Sequence, residues 1–184
     1  MSVTLRPATL ADVPALLEIY TYYVNQTAVS FEYVPPTVEE FRGRMERTLR
    51  KYPYLVAREG DRILGYTYAG AFYGRAAYDW CCELTVYLDQ EARGRGVGRA
   101  LYGAMEKTLG EMGVQNLYAC VAECEEEDEY LTHGSARFHA RMGFREVGRF
   151  RKCGYKFGRW YDMIWMEKLI GAHEESPKPV GHFQ

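Results

Sequence analysis

A glycine-rich stretch, Arg93-Gly94-Arg95-Gly96-Val97-Gly98-Arg99, separates a strand-like run at residues 83–88 from a helix-like run that begins at Val97 and reaches Gly113. Strand, glycine turn and helix in that order restrict the local fold to a few solutions. The glycines let the backbone turn tightly and approach a ligand closely. The first amides of the helix have no intrahelical partner, and the positive end of the helix dipole favours an anion in front of them. The stretch therefore predicts a site for a phosphate-bearing ligand.

Three phosphate-binding patterns can be compared with it. The P-loop requires Gly-Lys-Ser/Thr after four spacer residues, which is absent. The dinucleotide fingerprint would need a third glycine at position 99, where the chain has Arg99. Arg93, Gly96 and Gly98 instead match Arg/Gln-x-x-Gly-x-Gly/Ala, and here the chain resembles the GCN5-related N-acetyltransferases. Further segments are similar to the phosphinothricin and methionine sulfoximine N-acetyltransferase branch. They are Ile19-Tyr20, Ser30-Phe31-Glu32, Tyr52-Pro53-Tyr54, Tyr78-Asp79-Trp80, Glu83 with Val86-Tyr87, Phe138-His139, Gly143-Phe144 and Gly154-Tyr155-Lys156. The resemblance runs over roughly residues 3 to 169, in the family's order.

Composition is consistent with this reading. A chain of 184 residues, 47% hydrophobic, suits one domain. We place that domain at residues 1–170 and expect a disordered, proline-containing tail at 171–184. No apolar run approaches the ~20 residues of a membrane span. The first residues lack a signal peptide's basic start and apolar core. A net charge of −2 argues against a nucleic-acid binder. The five cysteines follow neither zinc spacing nor a disulfide framework, so reduced thiols in a cytoplasmic protein, with no metal, are expected.

The periodicity predicts alternating strands and helices, an α/β (α+β) layer architecture. Capping patterns at Thr9 and Thr37 open two helices, and Glu59-Gly60-Asp61 turns a hairpin. Residues 78–88 read as one long apolar strand. Val97, Leu101, Met105, Leu109 and Met112 mark the clearest helix. A short strand at 116–121, a short helix at 135–142 and strands near 144–151 and 160–169 complete the domain. The resemblance implies an acyl-CoA N-acyltransferase fold, a mixed, mostly antiparallel sheet flanked by helices and splayed near Val86.

Acyl transfer from a thioester to an amine needs a group that removes a proton from the ammonium and a polar group at the departing sulfur. Glu83 is the candidate base, since it lies in an otherwise apolar strand where burial would raise its pKa. The resemblance places the family's proposed base there, five residues after a tyrosine, here Tyr78. It also points to His139 as the acid, four residues before Gly143, and histidine titrates near neutrality. By the same resemblance the Val86 N–H polarises the thioester carbonyl. The backbone of Val86, Tyr87 and Leu88 pairs with the pantetheine arm, and residues 93–99 hold the pyrophosphate. For the acceptor, Arg75 could grip a carboxylate or phosphinate with two parallel hydrogen bonds, with Tyr73 and Tyr78 nearby. Phe31 and Glu32 match a family segment that borders the acceptor. Cys81 and Cys82 raise the possibility of an acyl-cysteine, but buried strand cysteines are inert, and direct transfer is expected.

Two features depart from the family. An asparagine commonly contacts the cofactor just before the serine equivalent to Ser135. Here His133-Gly134 precede it, which leaves Ser135 or a backbone group to make that contact. Residues 123–129 hold six acids in seven positions. They read as a solvated loop, with an attractor for cationic acceptors or a partner for the basic residues of 145–159 as the sharper alternatives. The expected function is acetyl-CoA-dependent N-acetylation of a small, amino-acid-like amine by a homodimer. The alternatives are a cationic amine or protein N-terminus as acceptor, and a non-catalytic CoA sensor.

Overall fold

The computed structural model describes residues 2–183. Seven strands form one sheet: β1 (Thr4–Pro7), β2 (Tyr54–Glu59), β3 (Arg62–Ala71), β4 (Cys81–Leu88), β5 (Asn116–Glu123), β6 (Arg145–Lys156) and β7 (Arg159–Leu169). Their order is β1-β2-β3-β4-β5-β7-β6. Every pairing is antiparallel except β4 with β5, which is parallel. Four helices, α1 (Val13–Gln26), α2 (Val38–Leu49), α3 (Val97–Met112) and α4 (Gly134–Arg141), flank it. The mixed, mostly antiparallel sheet agrees with the expected fold class.

Alternation along the strands explains why both faces are covered. In β2, Leu55 and Ala57 join one apolar cluster, while Tyr54 and Val56 join another. The first cluster packs under α3 through Leu101, Met105 and Leu109, all fully buried. Each such side chain contributes about 1.5–3 kcal/mol on burial. The second cluster packs under α1 and α2 through Leu16, Ile19, Phe41 and Met45. Thr37 caps α2 by accepting from the Glu40 N–H while Glu40 reaches back to the Thr37 N–H, the reciprocal box that its spacing predicts.

Some boundaries differ from the sequence reading. Tyr78 lies in a 3-10 turn over Ala76–Tyr78, and β4 starts only at Cys81. A turn of three residues needs only local bonds, such as Tyr78 N–H to Arg75 O at 2.9 Å, so apolar content alone did not reveal it. The acidic run is not an open solvated loop. Glu123 closes β5 and is buried. Asp128 accepts from the amides of Tyr130 and Leu131 and from the Tyr161 hydroxyl. Arg159 pairs with Asp128 and Glu129 at 2.9 and 3.0 Å, so one member of the basic stretch neutralises the run within the same chain. Only Glu125, Glu126, Glu127 and Glu129 of the seven positions are exposed.

Residues 171–183 form no helix or strand, yet they are hydrogen-bonded to the domain. Lys178 O accepts from the Trp80 indole at 2.8 Å, Phe183 N–H reaches Lys51 O, and Gly181 N–H reaches Met112 O. The last contact satisfies a carbonyl that the C-terminus of α3 leaves without an intrahelical donor.

Candidate active site

The sheet opens at its centre. The parallel ladder of β4 with β5 ends at the pair Glu83–Tyr118. Beyond it β4 follows β3 as far as Leu88–Gly65, whereas β5 follows β7 as far as Glu123–Asp162. The two strands diverge, and the β5-facing edge of residues 84–88 is left without a strand neighbour. A cavity of about 250 Å³ occupies this wedge, lined by Tyr68, Glu83, Val86, Tyr102, Cys120, Ser135 and His139. Glu83 is half-buried, and burial raises its pKa above the ordinary carboxylate value.

A groove of about 310 Å³ shares Val29, Val86 and Ser135 with this cavity and runs over Arg93, Gly94, Gly98 and Phe138. Gly94 and Gly96 have φ of +73° and +81°, and Gly96 is the N-cap of α3. A side chain would be strained in that left-handed region. No side chain caps α3, so its first amides are free to face an anion. A Cβ at Gly98 would lie 3.2 Å from the Phe138 ring, which shows how closely α4 approaches the loop. Arg93 sits over the Tyr23 ring at 5.3 Å. Arg95 is paired with Glu59 at 2.9 Å, and Arg99 is exposed. The Leu88 side chain lines the groove, while its carbonyl accepts from the Tyr23 hydroxyl at 2.7 Å.

His139 is enclosed by α3 and α4. Its Nδ1 lies 2.8 Å from Ser135 O, and its Nε2 lies 2.9 Å from the Tyr102 hydroxyl. A carbonyl only accepts, so Nδ1 carries a proton. Burial lowers the ring's pKa to about 4, which leaves the imidazole neutral near pH 7 and makes Nε2 an acceptor of the Tyr102 O–H. Tyr102 was not singled out in the sequence, and its contact with His139 depends on α4 lying beside α3. Tyr68 and Cys120 also line the cavity, and no sequence pattern singled them out. Burial pushes Cys82 up to about 12, and Cys82 is fully buried in the core outside the cavity, whereas Cys120 is exposed.

The acceptor candidates fall into two groups. Phe31 packs on Gly154, where a Cβ would come within 2.3 Å of its ring, and Glu32 bonds Arg44 at 2.7 Å. The second oxygen of Glu32 is buried with no hydrogen-bond partner among the described residues. Tyr68 lies within electrostatic reach of both Glu32 and Glu83. Lys156, buried and lysine by type, donates to Thr27 O and Ser30 O and anchors the segment that carries Val29 and Phe31. Tyr73, Arg75 and Tyr78 form a separate, exposed group after β3, with Tyr73 and Tyr78 rings 5.4 Å apart, and do not line the Glu83 cavity.

Comparison with known proteins agrees with this geometry. A family model for the acetyltransferase (GNAT) domain matches residues 5–165. A phosphinothricin N-acetyltransferase of Streptomyces coelicolor is 35% identical over 91% of this chain and 96% of its own. An L-methionine sulfoximine/L-methionine sulfone acetyltransferase of Pseudomonas aeruginosa is 29% identical over 96% of this chain and all of its own. The crystal structure of a phosphinothricin acetyltransferase from Sinorhizobium meliloti in complex with acetyl-CoA superposes with a TM-score of 0.86 at 32% identity, covering 98% of this chain and 94% of that one. The parallel β4–β5 pair that opens into a cavity, the glycine loop at the start of α3 and the match over most of its length establish that the chain belongs to the GNAT acetyltransferase family.

Proposed function

We propose that this acetyltransferase moves the acetyl group of acetyl-CoA directly to the α-amine of a small, anionic, amino-acid-like acceptor of the phosphinothricin or methionine sulfoximine type. The observation that carries the reading is the placement of Glu83 in a cavity that continues into the glycine-loop groove. The groove would hold acetyl-CoA, with its pyrophosphate against the amides of residues 93–99 and the Ser135 segment opposite. The substrates named for the S. coelicolor and P. aeruginosa relatives support the acceptor class.

Two protons leave the acceptor nitrogen during the reaction. Glu83, kept by burial closer to neutrality than an exposed carboxylate, takes the first and frees the amine to attack. The Val86 N–H faces the oxygen that gains charge as the C–N bond forms. The C–S bond then breaks, and the second nitrogen proton ends on the departing sulfur. His139 is neutral and has both nitrogens engaged, so it acts by holding Tyr102 in the wall of the cavity and donates no proton itself. Acyl-cysteine chemistry has no support, because burial holds Cys82 as a thiol.

Phe31 and Glu32 would border the acceptor, while Arg75 stands exposed outside the Glu83 cavity. A homodimer accords with the exposed Phe150, Tyr155 and Trp160 of β6 and β7, where β6 is an edge strand. No helix among the described residues is long and apolar enough to cross a membrane. We place the enzyme in the cytoplasm.

The test is thiol release from acetyl-CoA with phosphinothricin, methionine sulfoximine, their des-carboxy analogues and polyamines. Turnover of the first two, and its loss without the carboxylate, is expected. Turnover of polyamines alone would overturn the acceptor assignment, and binding of acetyl-CoA without turnover of any amine would favour a sensor.

A further inference from the structure

The loop that joins β5 to α4 brings together three side chains that the reaction does not use. Glu123 and Cys124 are adjacent at the end of β5, and His133 lies at the N-cap of α4. His133 Nδ1 is 2.5 Å from Glu123 Oε1, and Cys124 Sγ is 3.9 Å from the same oxygen. One ligand atom from each lies within 4.8 Å of the other two. Sequence spacing did not reveal the set, because a neighbouring Glu-Cys pair and a histidine nine positions on match no regular metal motif.

We propose that Glu123, Cys124 and His133 bind a zinc-type divalent cation, held by one carboxylate oxygen, one thiolate and one imidazole nitrogen with a water in the fourth position. The donor chemistry fits, since a thiolate and an imidazole together select a borderline-soft ion over magnesium or calcium. The distances fit as well. Bonds of about 2.0–2.3 Å in a tetrahedron put ligand atoms about 3.3–3.7 Å apart. The His133–Glu123 contact must open by less than about 1 Å, the Cys124–Glu123 separation of 3.9 Å closes slightly, and Cys124 and His133, within 4.8 Å of each other, close by about 1 Å at most. Glu123 and Cys124 are buried, whereas the His133 side chain is 32% exposed and offers the entry path. The intervening loop carries Glu125 and Glu126 exposed and without an ion-pair partner among the described residues, a negative field near that entry. Binding releases the Cys124 thiol proton to solvent and replaces the hydrogen bond from Cys124 Sγ to Leu131 O at 3.7 Å.

The position gives the cation a consequence. The loop continues from Leu131 through Thr132 and Gly134 to Ser135, and the last three line the groove for acetyl-CoA. A cation that ties the end of β5 to the start of α4 fixes one wall of that groove.

The full-length protein, stripped with a chelator, is titrated with Co²⁺ as a spectroscopic substitute. The expected result is one ion per chain, with a near-ultraviolet thiolate-to-cobalt charge-transfer band and the intense visible bands of a four-coordinate ion, both removed by Zn²⁺. Cys124→Ser abolishes the charge-transfer band, His133→Gln weakens binding at least tenfold, and Cys120→Ser leaves the spectrum unchanged. Zn²⁺ raises the thermal midpoint of the parent protein but not of Cys124→Ser, and far-UV circular dichroism verifies that each variant is folded. Absence of the charge-transfer band, or its persistence in folded Cys124→Ser, overturns the proposal and leaves the cluster as a hydrogen-bonded helix start.

Discussion

The Tyr102 hydroxyl and His139 Nε2 lie 2.9 Å apart, which joins α3 to α4 in the wall of the Glu83 cavity. With Nδ1–H spent on Ser135 O, the neutral ring can only accept at Nε2. The histidine therefore orients a tyrosine hydroxyl in the cavity where an isolated histidine would offer a proton. Tyr102→Phe should lower kcat on the order of 10²-fold with little change in acetyl-CoA affinity. His139→Gln should cost a similar factor, and the double variant should be no worse than either single one, because the pair acts as a unit. Additive losses in steady-state kinetics would show that the two work independently.

Glu83→Gln should lower kcat/KM by about 10²–10⁴-fold while acetyl-CoA binding, measured by calorimetry, stays nearly unchanged. In the parent enzyme the acidic limb of the pH–rate profile should lie above the ordinary carboxylate range, because burial raises Glu83. In the variant that limb should disappear.

The same shift predicts an effect on stability. The folded-state pKa of Glu83 is above its unfolded value, so the folded protein holds this proton more tightly. Ionisation then costs stability, fully at pH values above the folded pKa and not at all below the unfolded one. Glu83→Gln should raise Tm at pH 7, and the gain should vanish below about pH 4. A thermal melt series across pH reads this directly.

Gly96→Ala places a Cβ at φ +81° in the loop proposed to face the pyrophosphate. The strain is about 1–2 kcal/mol. The expected outcome is a higher KM for acetyl-CoA, by about tenfold, with kcat at saturation largely retained. A drop in kcat with unchanged KM would place the pyrophosphate elsewhere.

Gly154→Val should act on the acceptor instead. Its Cβ would stand 2.3 Å from the Phe31 ring and force that ring off β6. We expect KM for the amine to rise and that for acetyl-CoA to stay within about twofold. Overpacking of this kind also costs about 1–3 kcal/mol of stability, visible in urea denaturation.

Parts of this site were legible before any coordinates. The loop residues Arg93, Gly96 and Gly98 stand in a local pattern of strand, turn and helix, and local patterns survive in sequence. Glu83 was legible because a carboxylate in an apolar strand is costly unless it serves a purpose. The extent of α3 was also readable, since Val97–Met112 keeps its apolar stripe throughout. Tyr68 and Tyr102 were not, and Lys156 was visible only inside a segment that resembles the family. Each is one more aromatic, helix or charged residue in sequence, and what distinguishes it is a partner between 15 and 129 positions away.

Sequence by itself determined the order of strands and helices, the faces they bury and the glycine turn that opens α3, because periodicity, capping and glycine placement act over a few neighbouring residues. Tertiary structure decided where β4 leaves β5, that Glu83 sits at that point, that His139 meets Tyr102 and that Glu123, Cys124 and His133 converge. These depend on distances across the chain, and a wedge between two strands exists only once their outer partners, β3 and β7, have drawn them apart.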